Sequence, residues 1–378
     1  MGGGSSTRRV NVYVMAALQD DPPPPVDWIG TSLKAKRALS LKDFDLKGLI
    51  GTGMIGHVYI AQYKLSRQYF VIKSMWKADV IDRNMLRHVQ SEKQAMETLQ
   101  HPFLVKYFAT FQSSDQIHFV LEYVPGGELF KWYVERRDME CMAHVVCFLD
   151  RLHEYHRFYD HEAKFFAAEL VLVLAFVHEE GYIYRDLKPE NIVLDAHGHI
   201  RLVDCGFAKY VGNPEDNGRC TTSLGTPQYL APEQLRKNDR CYTQAVDWWA
   251  FGCVVFELLM GRTPFFRSAT DTPYELYTRV VQGKLTFGDR FTPNAKDLIR
   301  QLLQPDLTKR LVDPVKIKQH DWFADVDWAM VDALRIECPV HPPLHMAGDF
   351  GNFTLHDKHP PKSNKSISAA ADREFADF

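Results

Sequence analysis

A run of eight residues from Tyr184 to Asn191, with the sequence YRDLKPEN, combines an acid, a base and an amide in one short loop. These residue types suit phosphoryl transfer: Asp186 can accept the proton of an attacking hydroxyl, Lys188 can steady the migrating phosphoryl group, and Asn191 can hold a magnesium ion. The alternative is a solvated charged turn after a helix, which is the better interpretation of an isolated Arg-Asp-Leu tripeptide. For a run of this length, the surrounding elements decide between the two.

Upstream, a glycine-rich segment at 51–58 follows one predicted strand and precedes another. Gly51, Gly53 and Gly56 would let backbone N–H groups approach phosphate oxygens closely, because no Cβ intervenes. A dinucleotide-binding domain requires a helix directly after such glycines, whereas residues 57–62 are rich in β-branched and aromatic side chains and predict a strand. The pattern therefore argues against a Rossmann domain.

Two charged residues in the same part of the chain fit a nucleotide site. Lys73 closes the third predicted strand, where its ammonium group is a natural partner of α- and β-phosphates. Glu92 lies on the helical stretch Arg83–Leu99 and could form an ion pair with Lys73. Either residue alone is more simply explained as a surface charge, so their meaning depends on the rest of the pattern.

Further elements would position the catalytic loop and its metal. A predicted helix at Glu162–His178, with a mostly apolar face, leads into the loop at 184–191. A short hairpin at 192–203 then ends at Asp204, whose carboxylate would be a second magnesium ligand. Thr222 precedes the run Ala231-Pro232-Glu233, which predicts a regulated loop with a fixed end.

Length, charge and cysteine content limit the function classes. The 378 residues, 46% of them hydrophobic, suffice for two lobes and terminal extensions, and a formal charge of −3 gives no reason to expect nucleic acid as a partner. The seven cysteines include no Cys-x-x-Cys pair, so neither zinc nor a disulfide framework is predicted. The sequence instead predicts a reducing compartment, which would be the cytoplasm or, as an alternative, the nucleus. Apolar runs at 170–177 and 248–256 are shorter than the roughly 18 residues of a membrane span and predict buried helices.

The first six residues fit the pattern for N-myristoylation, with Gly2 as the acceptor and Ser6 at the preferred position. A flexible Gly/Ser leader is the alternative. A single myristoyl chain gives only weak, reversible binding, so a membrane is a partner only if Gly2 is acylated. Prolines at 22–25 forbid a helix, and residues 1–43 are interpreted as a partly disordered N-terminal arm.

Together these motifs occur in the order and spacing of a protein kinase. The chain resembles the AGC group of serine/threonine kinases, most closely the catalytic subunits of cyclic-AMP-dependent kinases. Further matching segments are 121–128 (LEYVPGGE), 206–209 (GFAK), 245–250 (AVDWWA), 306–310 (DLTKR) and the terminus 375–378 (FADF). The terminus is similar to a Phe-x-x-Phe tail that, in this subfamily, folds back onto the small lobe.

The resemblance implies an α+β, bilobal protein-kinase fold, with a small antiparallel β-sheet lobe that carries one regulatory helix and a larger, mainly helical lobe. The implied kinase domain is 44–323, with its small lobe at 44–124 and its large lobe at 125–323, followed by a C-terminal tail at 324–378. The stretch at about 134–156 has no counterpart in the family. It is either a partner-binding insertion or the product of an incorrectly spliced gene model.

The resemblance also implies ATP and Mg²⁺ as cofactors and assigns roles in the cleft. The implied catalytic residues are Lys73, Glu92, Asp186, Lys188, Asn191 and Asp204, of which Asn191 and Asp204 would bind the metal. The implied ATP-binding residues are Ile50, Gly51, Thr52, Gly53, Gly56, Val58, Val71, Lys73, Leu121, Glu122, Val124, Glu128, Val193 and Val203. Without the alignment, the aliphatic members of this set could not be distinguished from core.

Substrate and regulatory roles follow from the same resemblance. The carboxylates of Glu128, Glu190 and Glu257 suit arginines upstream of a target serine or threonine, and the pocket after the target would be lined by Ser223, Leu224, Pro227 and Leu230. Thr222 and Ser366 would be phosphorylated, with the Thr222 phosphate held by Arg185, Lys209 and His88. Glu233 would pair with Arg310 inside the large lobe.

Cys205 departs from the family pattern, because a phenylalanine normally follows the metal-binding aspartate. The loss removes a ring from a buried spine whose other members would be Met96, Tyr107 and Tyr184, at a cost of about 2–4 kcal/mol if neighbours do not fill the space. Tyr107, larger than the usual leucine, is a candidate to fill it. We expect inert packing rather than an oxidation-sensitive thiol at this position.

Four more departures concern the loops. Ile55 replaces an aromatic at the tip of the glycine loop and would loosen the lid over the γ-phosphate, and Ser223 replaces a larger apolar residue. Thr221 replaces the tryptophan that meets the regulatory subunit in this subfamily, so inhibition by a cyclic-nucleotide-binding partner does not follow. His356 stands where a tyrosine is expected to help close the nucleotide site.

Two alternatives stand beside the active cyclic-AMP-dependent type. The first is a pseudokinase or nucleotide-binding scaffold with impaired turnover, favoured by Cys205, Ile55 and the insertion but opposed by the six catalytic side chains. The second is an AGC kinase of another branch with a different regulator, and the terminal Phe378 argues against it.

Overall fold

The computed structural model describes residues 39–53, 55–129, 157–212, 219–220, 225–235, 241–268, 271–344, 348–356 and 367–378. Several sequence predictions lie outside the described residues. They concern the acylation of Gly2, the arm up to residue 38, the stretch 134–156, the positions 221–224 and Ser366.

The small lobe is built on one antiparallel sheet with the strand order β1-β2-β3-β5-β4. The strands are β1 (Phe44–Thr52), β2 (Gly56–Tyr63), β3 (Tyr69–Trp76), β4 (Tyr107–Gln112) and β5 (Gln116–Glu122). Side chains of a strand alternate between its two faces. Because Phe70 and Ile72 are buried in a cluster on one face of β3, Val71 and Lys73 lie on the other face, which borders the large lobe.

Two helices connect β3 to β4, α1 (Lys77–Asp82) and α2 (Leu86–Thr98). The sequence predicted a helical stretch from Arg83, and the structure starts α2 three residues later. Asn84 has a φ of 54°, a left-handed conformation that asparagine tolerates better than most residues and that interrupts a right-handed helix. The break separates α1 from α2.

The large lobe is mainly helical. Its helices are α3 (Asp160–Glu179), α4 (Ala245–Met260), α5 (Pro273–Gln282), α6 (Pro293–Leu302), α7 (Pro314–Lys318) and α8 (Trp328–Asp332). Two small two-stranded sheets, β6 (Tyr182–Ile183) with β9 (Lys209–Tyr210) and β7 (Ile192–Leu194) with β8 (Ile200–Leu202), lie between α3 and α4 in the chain. The apolar runs at 170–177 and 248–256 lie inside α3 and α4, as predicted, and no described helix combines the length and apolar character needed to cross a membrane.

The C-terminal residues return to the small lobe, which confirms the expectation from the Phe-x-x-Phe terminus. A short helix, α9 (Ala369–Arg373), precedes Phe375, whose side chain is fully buried. Gln112 Nε2 donates a hydrogen bond to the Phe375 carbonyl at 2.9 Å, and the buried ammonium of Lys77 pairs with Asp372 at 2.6 Å. The tail is therefore held by both burial and charge.

An earlier part of the tail crosses the hinge, which we define as residues 122–125. Asn352 Nδ2 donates to the Pro125 carbonyl at 3.0 Å, and the hydroxyl of Tyr123 donates to the Asp349 carbonyl. Further along, the backbone N–H of His356 donates to the Leu49 carbonyl of β1 at 2.9 Å. The tail thus contacts β1 through the backbone of His356, a bond that needs no tyrosine side chain.

Candidate active site

Lys73, Glu92 and Asp204 form an ion-pair group between the lobes. The Lys73 ammonium pairs with the Glu92 carboxylate of α2 and lies 3.1 Å from Asp204 Oδ1. Burial opposes the charge on Lys73, but the carboxylates of Asp204 and Glu92 outweigh it and raise the pKa of Lys73 above its usual value. Lys73 is the main cause of a lowered pKa of Asp204, and Lys188 contributes to it. Lys73 and Asp204 are therefore charged at neutral pH, whereas burial raises the pKa of the Glu92 carboxyl group. The ammonium of Lys73 is positioned for an anionic ligand.

Asp247 fixes the backbone of the loop that follows β6. Its carboxylate accepts hydrogen bonds from the N–H groups of Tyr184 and Arg185, both at 2.8 Å, and it contacts His178 Nε2 at 2.8 Å. Arg185 has a φ of 72° and Asp204 one of 65°, conformations that cost roughly 1–3 kcal/mol each and need outside support. Asp247 provides it for Arg185, and Asp204 caps itself by accepting the Gly206 N–H at 3.2 Å.

Asp186 lies at the centre of a polar cluster. Its Oδ2 accepts from Lys188 Nζ at 2.8 Å and from Asn191 Nδ2 at 2.9 Å, whereas its Oδ1 accepts from the Thr226 hydroxyl at 2.9 Å. Lys188 Nζ also donates to Thr226 Oγ1 at 2.9 Å. Asp186 is held from both oxygens, so the structure brings together the acid, the lysine and the amide that the sequence singled out.

The residues expected around adenine converge between the sheet and the hinge. In the sheet, Val58 lies opposite both Gly51 and Lys73, and Val71 lies opposite Leu121. On the large-lobe side, Val193 of β7 forms a bridge with Glu128, and Val203 follows β8. The remaining expected members lie on the same strands, glycine turn and hinge: Ile50, Thr52, Gly53, Gly56, Glu122 and Val124.

The three expected substrate carboxylates differ in exposure. Glu128 and Glu190 are exposed, whereas Glu257 of α4 is buried and accepts a hydrogen bond from the Tyr229 hydroxyl at 2.6 Å. Burial is the main reason that the pKa of Glu257 is raised to about 7, and the nearby charge of Glu190 adds to it. Of the pocket expected after the target residue, Pro227 is exposed and Leu230 is buried.

The residues expected to hold the Thr222 phosphate, Arg185, Lys209 and His88, lie on neighbouring parts of the structure. Arg185 Nε donates to the Phe207 carbonyl at 2.5 Å, and its Nη1 lies 3.1 Å from Cys220 Sγ. Lys209 begins β9 and His88 lies on α2, and these two elements pack against one another. The elements that carry the three residues are therefore adjacent, although Thr222 itself lies outside the described residues.

Cys205 is buried and follows Asp204 in the chain. It belongs to one hydrophobic core with Met96 and Tyr184, and Tyr107 packs against that core. The Tyr107 ring contacts the Phe119 ring edge-on, with centroids 6.3 Å apart, and the Tyr107 hydroxyl forms a hydrogen bond with the Thr110 hydroxyl. Tyr107 is therefore engaged with its own sheet. Burial raises the pKa of the Cys205 thiol to about 12.

We expect Cys205 to resist alkylation in the folded protein, because only the thiolate reacts and burial suppresses it. With a pKa of about 12, roughly one thiol in 10⁴ is ionised at about pH 8. Cys241 is partly exposed and serves as the matched internal control. Iodoacetamide labelling followed by peptide mass spectrometry should modify Cys241 first and Cys205 only after denaturation. Early labelling of Cys205 would show that this part of the core opens readily.

No role was predicted from the sequence for three side chains that hold the site. Asp247 supports the catalytic loop, Thr226 bridges Asp186 and Lys188, and Tyr229 holds Glu257. Asp247 lies in the run 245–250, whereas Tyr229 lies in no motif noted above. Which partner each one meets depends on chain segments that are distant in sequence.

Residues 44–323 match the family described as protein kinase domain. The chain is 37% identical over 352 residues to a cAMP-dependent protein kinase catalytic subunit of Dictyostelium discoideum, covering 91% of this chain and 50% of that protein. It is 35% identical over 350 residues to the cAMP-dependent protein kinase catalytic subunit of Arthrobotrys oligospora, covering 91% and 62%. It is 37% identical over 321 residues to the human cAMP-dependent protein kinase catalytic subunit PRKX, covering 84% and 82%.

The chain spans half of the length of the Dictyostelium relative and 62% of the length of the Arthrobotrys relative. The similarity therefore covers only part of each of those proteins. The bilobal fold, the ion-pair group at Lys73 and the cluster around Asp186 agree with this match. The chain therefore belongs to the protein kinase family, and its similarity within that family is to the AGC group.

Proposed function

We propose that this chain transfers the γ-phosphoryl group of Mg-ATP to serine or threonine hydroxyls in basic protein sequences. The observation that carries the proposal is the placement of two groups on one cleft. Lys73 and Glu92 of the small lobe meet Asp204 of the large lobe, and Asp186 with Lys188 and Asn191 forms the second group in the loop after β6. Lys188 is close enough to Asp204 to affect the pKa of its carboxyl group, which links the two groups.

The residues present fit Mg²⁺ and ATP. Asn191 uses Nδ2 for both of its bonds to Asp186, so its amide oxygen is the atom that remains to bind a cation, and Asp204 adds a carboxylate that is 42% exposed. Magnesium prefers such hard oxygens and normally binds one or two carboxylates plus phosphates rather than a protein cage. When bound, ATP would supply the phosphoryl group and Mg²⁺ would neutralise part of its charge.

The roles of the protein side chains follow from their contacts. Lys73, oriented by Glu92, would hold phosphate oxygens together with the glycine-rich backbone at Gly51, Gly53 and Gly56. Asp186 accepts the proton of the substrate hydroxyl, and Lys188 stabilises the negative charge on the group being transferred. Thr226 keeps Asp186 and Lys188 in contact.

Basic substrates are proposed from the carboxylates of Glu128, Glu190 and Glu257, which offer two exposed charges and one buried acceptor. A regulatory subunit remains a proposal that the replacement at Thr221 weakens. Weak membrane association through Gly2 is likewise a proposal, as is a cytoplasmic or nuclear location.

The direct test is transfer of the γ-phosphoryl group from Mg-ATP to a peptide with two arginines before a serine. The matched blank is the variant Asp204→Ala, which lacks one proposed metal ligand. Turnover well above this blank supports the proposal and shows that Cys205 affects only its degree. Protein that is phosphorylated on Thr222 and binds ATP, yet transfers nothing, would instead support the pseudokinase interpretation.

Substrate binding should depend on pH through Glu257. The pKa of this carboxyl group is about 7, so it is charged above that pH and neutral below it. We expect the KM for the arginine peptide to rise up to about tenfold between roughly pH 8 and pH 6, because the ion pair with arginine is lost. The variant Glu257→Gln should have a high KM at both pH values. A wild-type KM that is independent of pH would contradict the role given to Glu257.

A further inference from the structure

Arg201 lies on β8 directly opposite Val193 of β7. Directly opposed residues of an antiparallel pair have their side chains on the same face. Arg201 therefore shares the face of the hairpin that carries Val193, one of the residues expected beneath the adenine. Its side chain is only 12% exposed.

The guanidinium of Arg201 meets two carboxylates from different parts of the chain. Nη2 lies 3.0 Å from Asp195 Oδ2, and Nε lies 3.9 Å from Glu122 Oε2. Nη1 donates to the Ile200 carbonyl at 3.0 Å. Nε is buried and donates no hydrogen bond among the described residues. The guanidinium therefore interacts with the Glu122 carboxylate through its charge, without a hydrogen bond from Nε.

Glu122 and Asp195 are both held by other contacts. At the hinge, Glu122 N donates to the Lys106 carbonyl at 2.8 Å, and Glu122 Oε2 accepts from Lys106 N at 3.1 Å. In the turn between β7 and β8, Asp195 Oδ1 accepts from the N–H groups of His197 and His199 at 2.9 and 3.0 Å. Arg201 thus connects a fixed hinge to a fixed turn.

We infer that Arg201 is a positioning residue that sets the separation between the hinge and the β7–β8 hairpin and thereby the affinity for the adenine of ATP. The inference rests on the proposed function, because it assumes that adenine lies between Glu122 and Val193. Two partly buried carboxylates on one guanidinium resist displacement more than an exposed pair would. Arg201 acts only through Glu122 and the hairpin and touches no reacting atom.

The test measures the Kd of Mg-ATP by calorimetry, together with the KM for ATP and kcat, in Arg201→Gln. We expect Kd and KM to rise about 5- to 20-fold and kcat at saturating ATP to stay within about twofold. The matched control is Arg279→Gln on α5. Arg279 is similarly buried, at 18% exposure, and pairs with Asp271 at a distance from the hinge. Arg279→Gln should leave Kd within about twofold of the wild type.

Two further variants separate positioning from general structure. Arg201→Lys keeps the charge but lacks the separate Nε and Nη2 groups that face Glu122 and Asp195, so its Kd should fall between those of the wild type and Arg201→Gln. Glu122→Gln should weaken binding, and adding Arg201→Gln to it should weaken it little more. Equal Kd values for the wild type and Arg201→Gln, or equal effects of Arg201→Gln and Arg279→Gln, would overturn the inference. A wild type that binds no Mg-ATP would overturn the proposed function, and the inference with it.

Discussion

The variant Asp186→Asn should lose about 10²- to 10⁴-fold in kcat, the range that a positioned general base contributes. Asparagine has nearly the same shape but cannot accept the proton of the substrate hydroxyl. The fold of the loop should survive the change. The amide oxygen can still accept from Lys188 and Asn191, and the amide nitrogen can donate to the Thr226 hydroxyl, which is able to accept.

The measurement is the initial rate of peptide phosphorylation at saturating ATP, with nucleotide affinity followed separately by calorimetry. Affinity should change little, because Asp186 contacts Lys188, Asn191 and Thr226 rather than the strands around adenine. The matched control is Asp297→Asn, in which an exposed carboxylate on α6 undergoes the same chemical change. A kcat for Asp186→Asn within about tenfold of the wild type would contradict its assignment as the base.

The variant Glu233→Gln should have the largest effect on stability. Glu233 and Arg310 form a buried bidentate pair, with Nη1–Oε1 at 2.6 Å, Nη2–Oε2 at 2.9 Å and side chains that are 3% and 0% exposed. The Arg310 guanidinium also lies 4.9 Å from the centre of the Trp249 ring. Neutralising Glu233 leaves this arginine charged and buried, which lowers the free energy of unfolding by about 3–5 kcal/mol.

Calorimetry should therefore show Tm reduced by roughly 6–20 °C, given about 2–4 °C per kcal/mol for a unit of this size. Asp325→Asn is the control, because Asp325 forms a surface ion pair with Lys164 in which the aspartate side chain is 73% exposed. That change should cost less than about 1 kcal/mol. The double variant Glu233→Leu, Arg310→Met should recover part of the loss, since it leaves no buried charge. A double variant less stable than Glu233→Gln would show that shape, rather than charge, dominates at this site.

Much of the candidate site could be predicted because its local chemistry is written in short runs. The loop at 184–191, the glycines at 51–56 and the strand ending near Lys73 each identify themselves by residue type and spacing. The hairpin at 192–203 and the helix containing 162–178 formed close to the predicted bounds, since periodicity and turn residues determine such elements locally.

The parts that were missed have a common cause. The break at Asn84 was missed because one left-handed residue outweighs an otherwise helical pattern. The contact of Glu257 with Tyr229 and its raised pKa were missed because they follow from burial that no local pattern shows. Arg201 gave no sequence signal, since its meaning comes from facing Glu122 across a hinge.

The sequence by itself determined which residues can do chemistry and on which element each one lies, because strand and helix periods, glycine turns and charged loops act over a few residues. Only the tertiary structure decided which of them meet. Lys73 reaches Asp204 across 131 residues, and Lys77 reaches Asp372 across 295. Such contacts depend on how buried apolar faces pack the two lobes and the tail together, and packing is a property of the whole chain rather than of any segment.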